Sequence, residues 1–110
     1  MNKIHIIRNQ DVDRVLIGVP KGHHHLRVCI RLKNESSLVF QEATIANILR
    51  AYTTIKTHPT IRARELKVED FTTQPLKEGF ATHQLLETSR KSEDIEEELR
   101  TLLDGGAPTT

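Results

Sequence analysis

Residue types that bind zinc come close together in one part of the chain. His23 and His25 precede an apolar segment that contains Cys29, the only cysteine, and neutral imidazole and thiolate are both zinc ligands. Because side chains alternate along a strand, an extended backbone would put His23, His25 and Cys29 on one side. However, the histidines lie at a predicted turn, and the paired spacing typical of structural zinc sites is missing. We therefore predict exposed histidines, no bound metal and no other cofactor.

Five arginines form a second candidate site, in this case for phosphate groups. They are Arg14, Arg27, Arg31, Arg62 and Arg64. Alternation places Arg27 and Arg31 on the polar face of one predicted strand, and it gives Arg62 and Arg64 a common face if residues 61–69 are also a strand. Neither predicted strand interleaves aromatic residues that would stack on bases. Any nucleic-acid binding would therefore use phosphate contacts, depend on salt and lack sequence specificity.

Charge divides the chain into two parts. The formal net charge is +1, but residues 1–67 carry twelve Lys and Arg against five Asp and Glu, a net charge of +7. Residues 68–110 carry four Lys and Arg against ten Asp and Glu, a net charge of −6. This asymmetry indicates either a basic ligand surface or a contact between the two parts, within one chain or between subunits. Two ordinary solvated faces would have the same composition, so the alternatives stay open.

The length and the motif content bound the class of protein. A chain of 110 residues has room for one domain, which we assign to residues 1–104, with a flexible tail over 105–110. A single cysteine favours the cytoplasm, and no apolar run is long enough for a membrane span or a secretory signal. The chain lacks a Gly-rich phosphate loop, a Gly-x-Ser-x-Gly motif and a His-Glu-x-x-His motif. We therefore favour a protein that is not an enzyme.

The apolar pattern of the first forty residues has the period of two that is typical of strands. Residues 13–19 place three apolar side chains on one face of a half-buried strand: Val15, Ile17 and Val19. In residues 25–32, the even-numbered positions are apolar and the odd-numbered positions are His25, Arg27, Cys29 and Arg31. The polar segment 33–37 has the length of a hairpin loop, so residues 38–40 are the returning strand. These segments predict an antiparallel meander.

Two later segments have the period of a helix. Residues 41–56 carry an apolar stripe that we expect to cover the sheet: Ile45, Ile48, Leu49, Tyr52 and Ile55. Ser92, followed by two acidic residues, predicts the N-cap of an acidic helix over about 93–103. We expect this helix to dock by a second stripe, Ile95, Leu99, Leu102 and Leu103. Residues 61–69 fit a strand better than a helix, and residues 79–90 fit either.

These elements predict an α+β fold: a mostly antiparallel sheet, one packed amphipathic helix and a C-terminal acidic helix. Aromatic residues make up only 4% of the chain, so the core is thin, and a short chain has little material to cover the edges of its sheet. We therefore expect a homo-oligomeric interaction or regulatory module whose partner is itself or another protein. The alternative is nucleic-acid binding through the five arginines.

Overall fold

The computed structural model describes residues 3–73 and 82–106. After a 3-10 turn at Asn9–Asp11, the elements follow in this order: β1 (Val12–Gly18), β2 (Arg27–Leu32), β3 (Ser37–Gln41), α1 (Glu42–Thr57), β4 (Leu66–Asp70), β5 (His83–Glu87) and α2 (Ser92–Gly106). β1, β2 and β3 form one antiparallel sheet, and β4 and β5 form another. The predicted α+β fold with an N-terminal meander is therefore confirmed.

The chain divides into two compact units. The first consists of the chain up to Ala46 together with its end from Leu102, and the second is Asn47–Thr101. The first unit contains the three-stranded sheet, and the second contains the two-stranded sheet. The assignment of residues 1–104 to one domain stays a prediction.

Local hydrogen bonds set the turns of the first unit. Between β2 and β3, the side-chain Oδ1 of Asn34 accepts a bond from the Ser36 N–H at 2.9 Å, and Glu35 adopts a φ of 73°. An asparagine that bonds two residues ahead is a common turn former, and it favours the short connection predicted at this point. At the start of α1, the carboxylate of Glu42 accepts a bond from the Leu26 N–H at 2.7 Å. This bond joins the beginning of the helix to the residue before β2.

The second unit resolves two segments that the sequence left ambiguous. The strand expected over residues 61–69 begins only at Leu66, because the backbone N–H groups of Arg62 and Ala63 donate to the Ser92 hydroxyl at 3.1 and 3.0 Å instead of joining a ladder. The segment 79–90 contains strand β5, and its residues 79–81 lie outside the described part. The Ser92 hydroxyl thus accepts bonds from residues 62 and 63, and it donates to the Glu96 carboxylate at 3.0 Å. These contacts take the place of the predicted bond from the Ser92 hydroxyl to the first turn of its own helix.

Few apolar side chains are buried in the described residues. Those that are buried are Val28, Ala51, Ala63 and Ile95. In the first predicted helix stripe, Ile45 and Ile55 are half-buried and the other members are exposed. In the second stripe only Ile95 is buried, so the expectation that all four of its residues dock is wrong for Leu99, Leu102 and Leu103 in the single chain. α2 extends through Gly106, and residues 107–110 of the predicted tail lie outside the described residues.

Candidate functional site

The register of the three-stranded sheet brings three rows of side chains to one face, here called the arginine face. Residues opposite one another on antiparallel strands point to the same side of a sheet. The rows are Arg14, Arg31 and Ser37; Leu16, Cys29 and Val39; and Gly18, Arg27 and Gln41. The arginine face therefore has an apolar middle row between two rows that carry guanidinium groups.

Two arginines of this face lie directly opposite each other. Arg14 on β1 is the partner of Arg31 on β2, and like charges in opposite positions destabilise a sheet pair. The Nε of Arg14 is 4.0 Å from the Asp13 carboxylate, which offsets part of this repulsion. Arg27 differs, because its Nη1 donates to the backbone oxygens of His25 and Leu26 at 3.3 and 3.2 Å. Arg14 and Arg31 are thus the members of the face best placed to share an anion.

The other two predicted arginines are in the second unit, and the strand-based prediction that they share a face is wrong. The strand begins after both of them, so alternation does not apply at residues 62–64. Arg62 is exposed and makes an ion pair of 3.4 Å with the Glu96 carboxylate. Arg64 is half-buried, and among the described residues its buried Nε has no hydrogen-bond partner. The arginine face therefore contains three of the five predicted residues.

The histidines and the cysteine of the predicted metal candidate are not brought together. β2 begins at Arg27, so His23 and His25 lie in the preceding loop, where strand alternation does not operate. The Nδ1 of His25 is 3.9 Å from the Glu42 carboxylate, and Cys29 is half-buried on the arginine face. Within residues 3–73 and 82–106, no three His, Cys, Asp or Glu side chains form a group that could hold a metal ion. The absence of a metal in the protein stays a prediction.

The apolar surface of β1 is the feature that sequence reasoning missed. The strand lies at one end of the sheet order, so its outer edge has no partner strand among the described residues. Its side chains are exposed on both faces: Val15 at 47% and Ile17 at 66% on one side, and Leu16 at 50% on the other. Val19, directly after the strand, is 56% exposed. The half-buried strand expected from Val15, Ile17 and Val19 is therefore wrong in the single chain.

The first unit also contains a cleft of about 460 Å³. Its apolar lining comes from Ile4, Ile6, Ile7 and Leu32, and two of its basic residues are Arg8 and Lys33. Arg8 is already engaged, because both its backbone N–H and its Nε donate to the Asp11 carboxylate, at 2.9 and 3.3 Å. The bonds from Arg8 hold the pKa of Asp11 below its usual range. The Arg8–Asp11 ion pair stabilises the N-terminal segment and neutralises two of the charges that line this cleft.

Carboxylates of the second unit make structural ion pairs. Glu65 accepts a bond from the Thr88 hydroxyl at 2.9 Å and from Arg90 at 2.8 Å, and these bonds lower the pKa of Glu65. Arg90 also donates to Glu98 at 3.0 Å, and the two carboxylates raise the pKa of Arg90. Each acid in this cluster has a cationic or hydroxyl partner. The arrangement joins three segments of the unit and has the character of a structural network.

Comparison with protein-family models, curated proteins and solved structures yields no match. In the part of the chain that the structure describes, no helix combines the length and the apolar character needed to cross a membrane. The interpretation of function therefore depends on two surfaces of the first unit: the apolar strand β1 and the arginine face.

Proposed function

We propose that the protein is a small, non-enzymatic interaction module that self-associates through β1. The observation that supports this proposal is the exposure of apolar side chains on both faces of a strand whose outer edge is also open. Natural proteins normally protect such edges with charges, prolines or covering segments, because an open apolar edge is a template for another strand. A second copy adding a strand to β1 would cover the edge and shield side chains on both faces.

Size and energy point to a reversible complex. Burial of apolar surface contributes about 25 cal/mol per Å², but association also costs an estimated 4 kcal/mol or more in lost freedom of motion. β1 has only seven residues, whereas stable complexes usually bury a total of about 1,200 Å² or more. We therefore expect an equilibrium between monomer and oligomer that depends on protein concentration. A module of this kind, working in the cytoplasm as the lone cysteine suggests, suits regulation by concentration or by a competing protein strand.

The test compares two lysine substitutions in exposed strand positions. Ile17→Lys puts a charge on β1, where the wild-type side chain is 66% exposed. Val68→Lys is the matched control, because Val68 is 55% exposed on β4 in the other sheet. We expect light scattering over a range of micromolar concentrations to show association of the wild type and the control but not of Ile17→Lys. A wild type that is monomeric throughout, or an Ile17→Lys variant that associates like the wild type, would refute the proposal.

The arginine face supports a second candidate function, which is salt-dependent binding of nucleic-acid phosphates without sequence specificity. The supporting observation is the row in which Arg14, Arg31 and Ser37 lie side by side on three strands. An anion placed over this row would relieve the repulsion between the two arginines and would accept bonds from both guanidinium groups. This function differs from self-association in its steep dependence on ionic strength.

Duplex DNA binding measured at several salt concentrations tests this candidate. Changing Arg31 to Gln should weaken binding and reduce the slope of log K against log[salt] by about 0.9 for each phosphate contact that is lost. Arg50→Gln on α1 is the control, because Arg50 is an exposed arginine outside the sheet. Equal effects of the two substitutions would show that net charge alone, and not the arginine face, governs binding.

A further inference from the structure

Only the middle of β1 is open to a partner strand. At the beginning of the strand, the register shifts between Val12 and Arg14, and such irregularities interrupt regular pairing. Just after the strand, Pro20 lacks a backbone N–H and cannot donate to a ladder. The segment available for a continuous ladder is therefore about residues 14–19.

We propose that a second copy pairs with this segment in antiparallel fashion, with the two-fold axis at Leu16. The inference rests on the proposed function, since it specifies how the self-association through β1 occurs. A two-fold axis perpendicular to a sheet places residues of the same face opposite each other. Consequently one residue of β1 lies opposite the same residue of the partner. The residue before it lies opposite the partner's residue after it, and the reverse. The candidates for the self-paired residue are those in the middle of the open segment: Val15, Leu16 and Ile17.

Side-chain size and polarity select Leu16 among these three. With the axis at Leu16, Val15 pairs with Ile17 of the partner, and Arg14 pairs with Gly18 of the partner. At Gly18 a Cβ would meet no atom within 4 Å, so there is space for the long arginine side chain. The axis at Leu16 sets one charged residue against an apolar one, Asp13 opposite Val19, beyond the end of the ladder. An axis at Val15 would place Arg14 opposite Leu16 and Asp13 opposite Ile17, which sets charged groups against the central apolar residues. An axis at Ile17 would give a ladder of equal length over residues 15–19. However, it would place Leu16 opposite Gly18, which has no side chain to pack against, and Arg14 opposite Pro20, which lacks a backbone N–H.

Charge favours the antiparallel direction. The chain carries Asp11 and Asp13 at the start of β1, and Lys21 follows its end. Antiparallel pairing about Leu16 puts the start of one strand beside the partner's turn after Pro20, where the backbone N–H of His23 donates to the Pro20 oxygen at 3.0 Å. The acidic residues of one copy thus approach Lys21 of the other. A parallel arrangement would bring like charges together at both ends.

Cysteine cross-linking measures this register directly. In a Cys29→Ser background, Leu16→Cys should form a disulfide dimer under mild oxidation, because directly opposite Cβ atoms lie about 4.5–5.5 Å apart and small movements bring them into bonding range. Val15→Cys and Ile17→Cys should each cross-link poorly alone and efficiently when mixed in equal amounts. Val39→Cys, exposed on the arginine face of β3, is the control for random collision.

The outcomes separate the register from the proposed function. Efficient cross-linking of Leu16→Cys together with the mixed Val15 and Ile17 pair supports the axis at Leu16. If Ile17→Cys or Val15→Cys alone cross-links best, the axis is misplaced while self-association through β1 stands. If no position on β1 cross-links more than Val39→Cys, the register is overturned. The light-scattering comparison of Ile17→Lys with the wild type then decides whether β1 is the interface: loss of association in the variant retains β1, and unchanged association excludes it.

Discussion

Truncation of Ile95 should reveal how little of α2 is buried in the single chain. Ile95 is 7% exposed, whereas Leu99, one turn later on the same predicted stripe, is 50% exposed. Replacing a buried Ile with Ala typically costs about 2–5 kcal/mol through lost transfer free energy and the cavity that remains. At Leu99 solvent can fill the space, so only part of the transfer term is lost, and we expect a cost of about 1 kcal/mol. We therefore predict that Ile95→Ala lowers the free energy of unfolding about two to five times as much as Leu99→Ala does.

Urea unfolding followed by circular dichroism, at a low and a high protein concentration, provides the measurement. If Ile95→Ala does not fold, Ile95→Val takes its place, with an expected cost of about 0.5–1.5 kcal/mol. Leu99→Ala should be the milder variant at the low concentration. An equal or larger loss for Leu99→Ala under these conditions would refute the reasoning, because it would show that the exposed stripe is covered within the monomer.

Further predictions concern the second unit and the histidines. Ser92→Ala removes the acceptor of two backbone N–H groups and should cost about 1–3 kcal/mol in the free energy of unfolding. Ser89→Ala at an exposed position should cost far less by the same urea titration. Because the pKa of Glu65 is lowered in the folded state, its contribution to stability is present above the ordinary glutamate pKa of about 4.3 and is lost as the pH falls below it. Thermal melts should therefore show a shallower acid-side decline for Glu65→Gln, and an unchanged decline would contradict the assignment. Elemental analysis of untagged protein should find less than stoichiometric zinc or nickel. About one metal ion per chain, lost on changing His23 and His25 to Ala, would reverse this expectation.

Alternation and helical period were sufficient to predict the main elements. The alternating residues around Val28 correspond to β2, and the apolar period after Gln41 corresponds to α1. The position of the first strand was predicted, but its side chains are exposed and not half-buried as expected. Val15–Val19 is apolar at every position except Gly18, and a strand that is apolar on both sides is typical of one covered on both faces. Leu16, which falls outside the alternating set, was the signal for this second apolar side.

The arginine face could be predicted only where strand pairing is local. Arg27 and Arg31 were placed on one face from β2 alone, but the position of Arg14 opposite Arg31 depends on the register shift at the start of β1. Arg62 and Arg64 could not be assigned, because a serine thirty residues later in the chain competes for the Arg62 N–H group. Single-sequence periodicity does not contain such long-range competition.

The separation of the Ser92 contacts along the chain affects the order of folding during synthesis. The three-stranded meander is complete once residue 41 has left the ribosome, since its hairpins join neighbouring strands. The contacts of Ser92 with residues 62 and 63, and those of Glu65 with residues 88 and 90, close loops of 23 to 30 residues. At a synthesis rate of about 5–20 residues per second, these partners emerge roughly 2–10 s after the meander. Under the proposed self-association, β1 of one nascent chain can already pair in this interval with β1 of a neighbouring chain on the same messenger RNA, so that assembly of two copies precedes completion of either one.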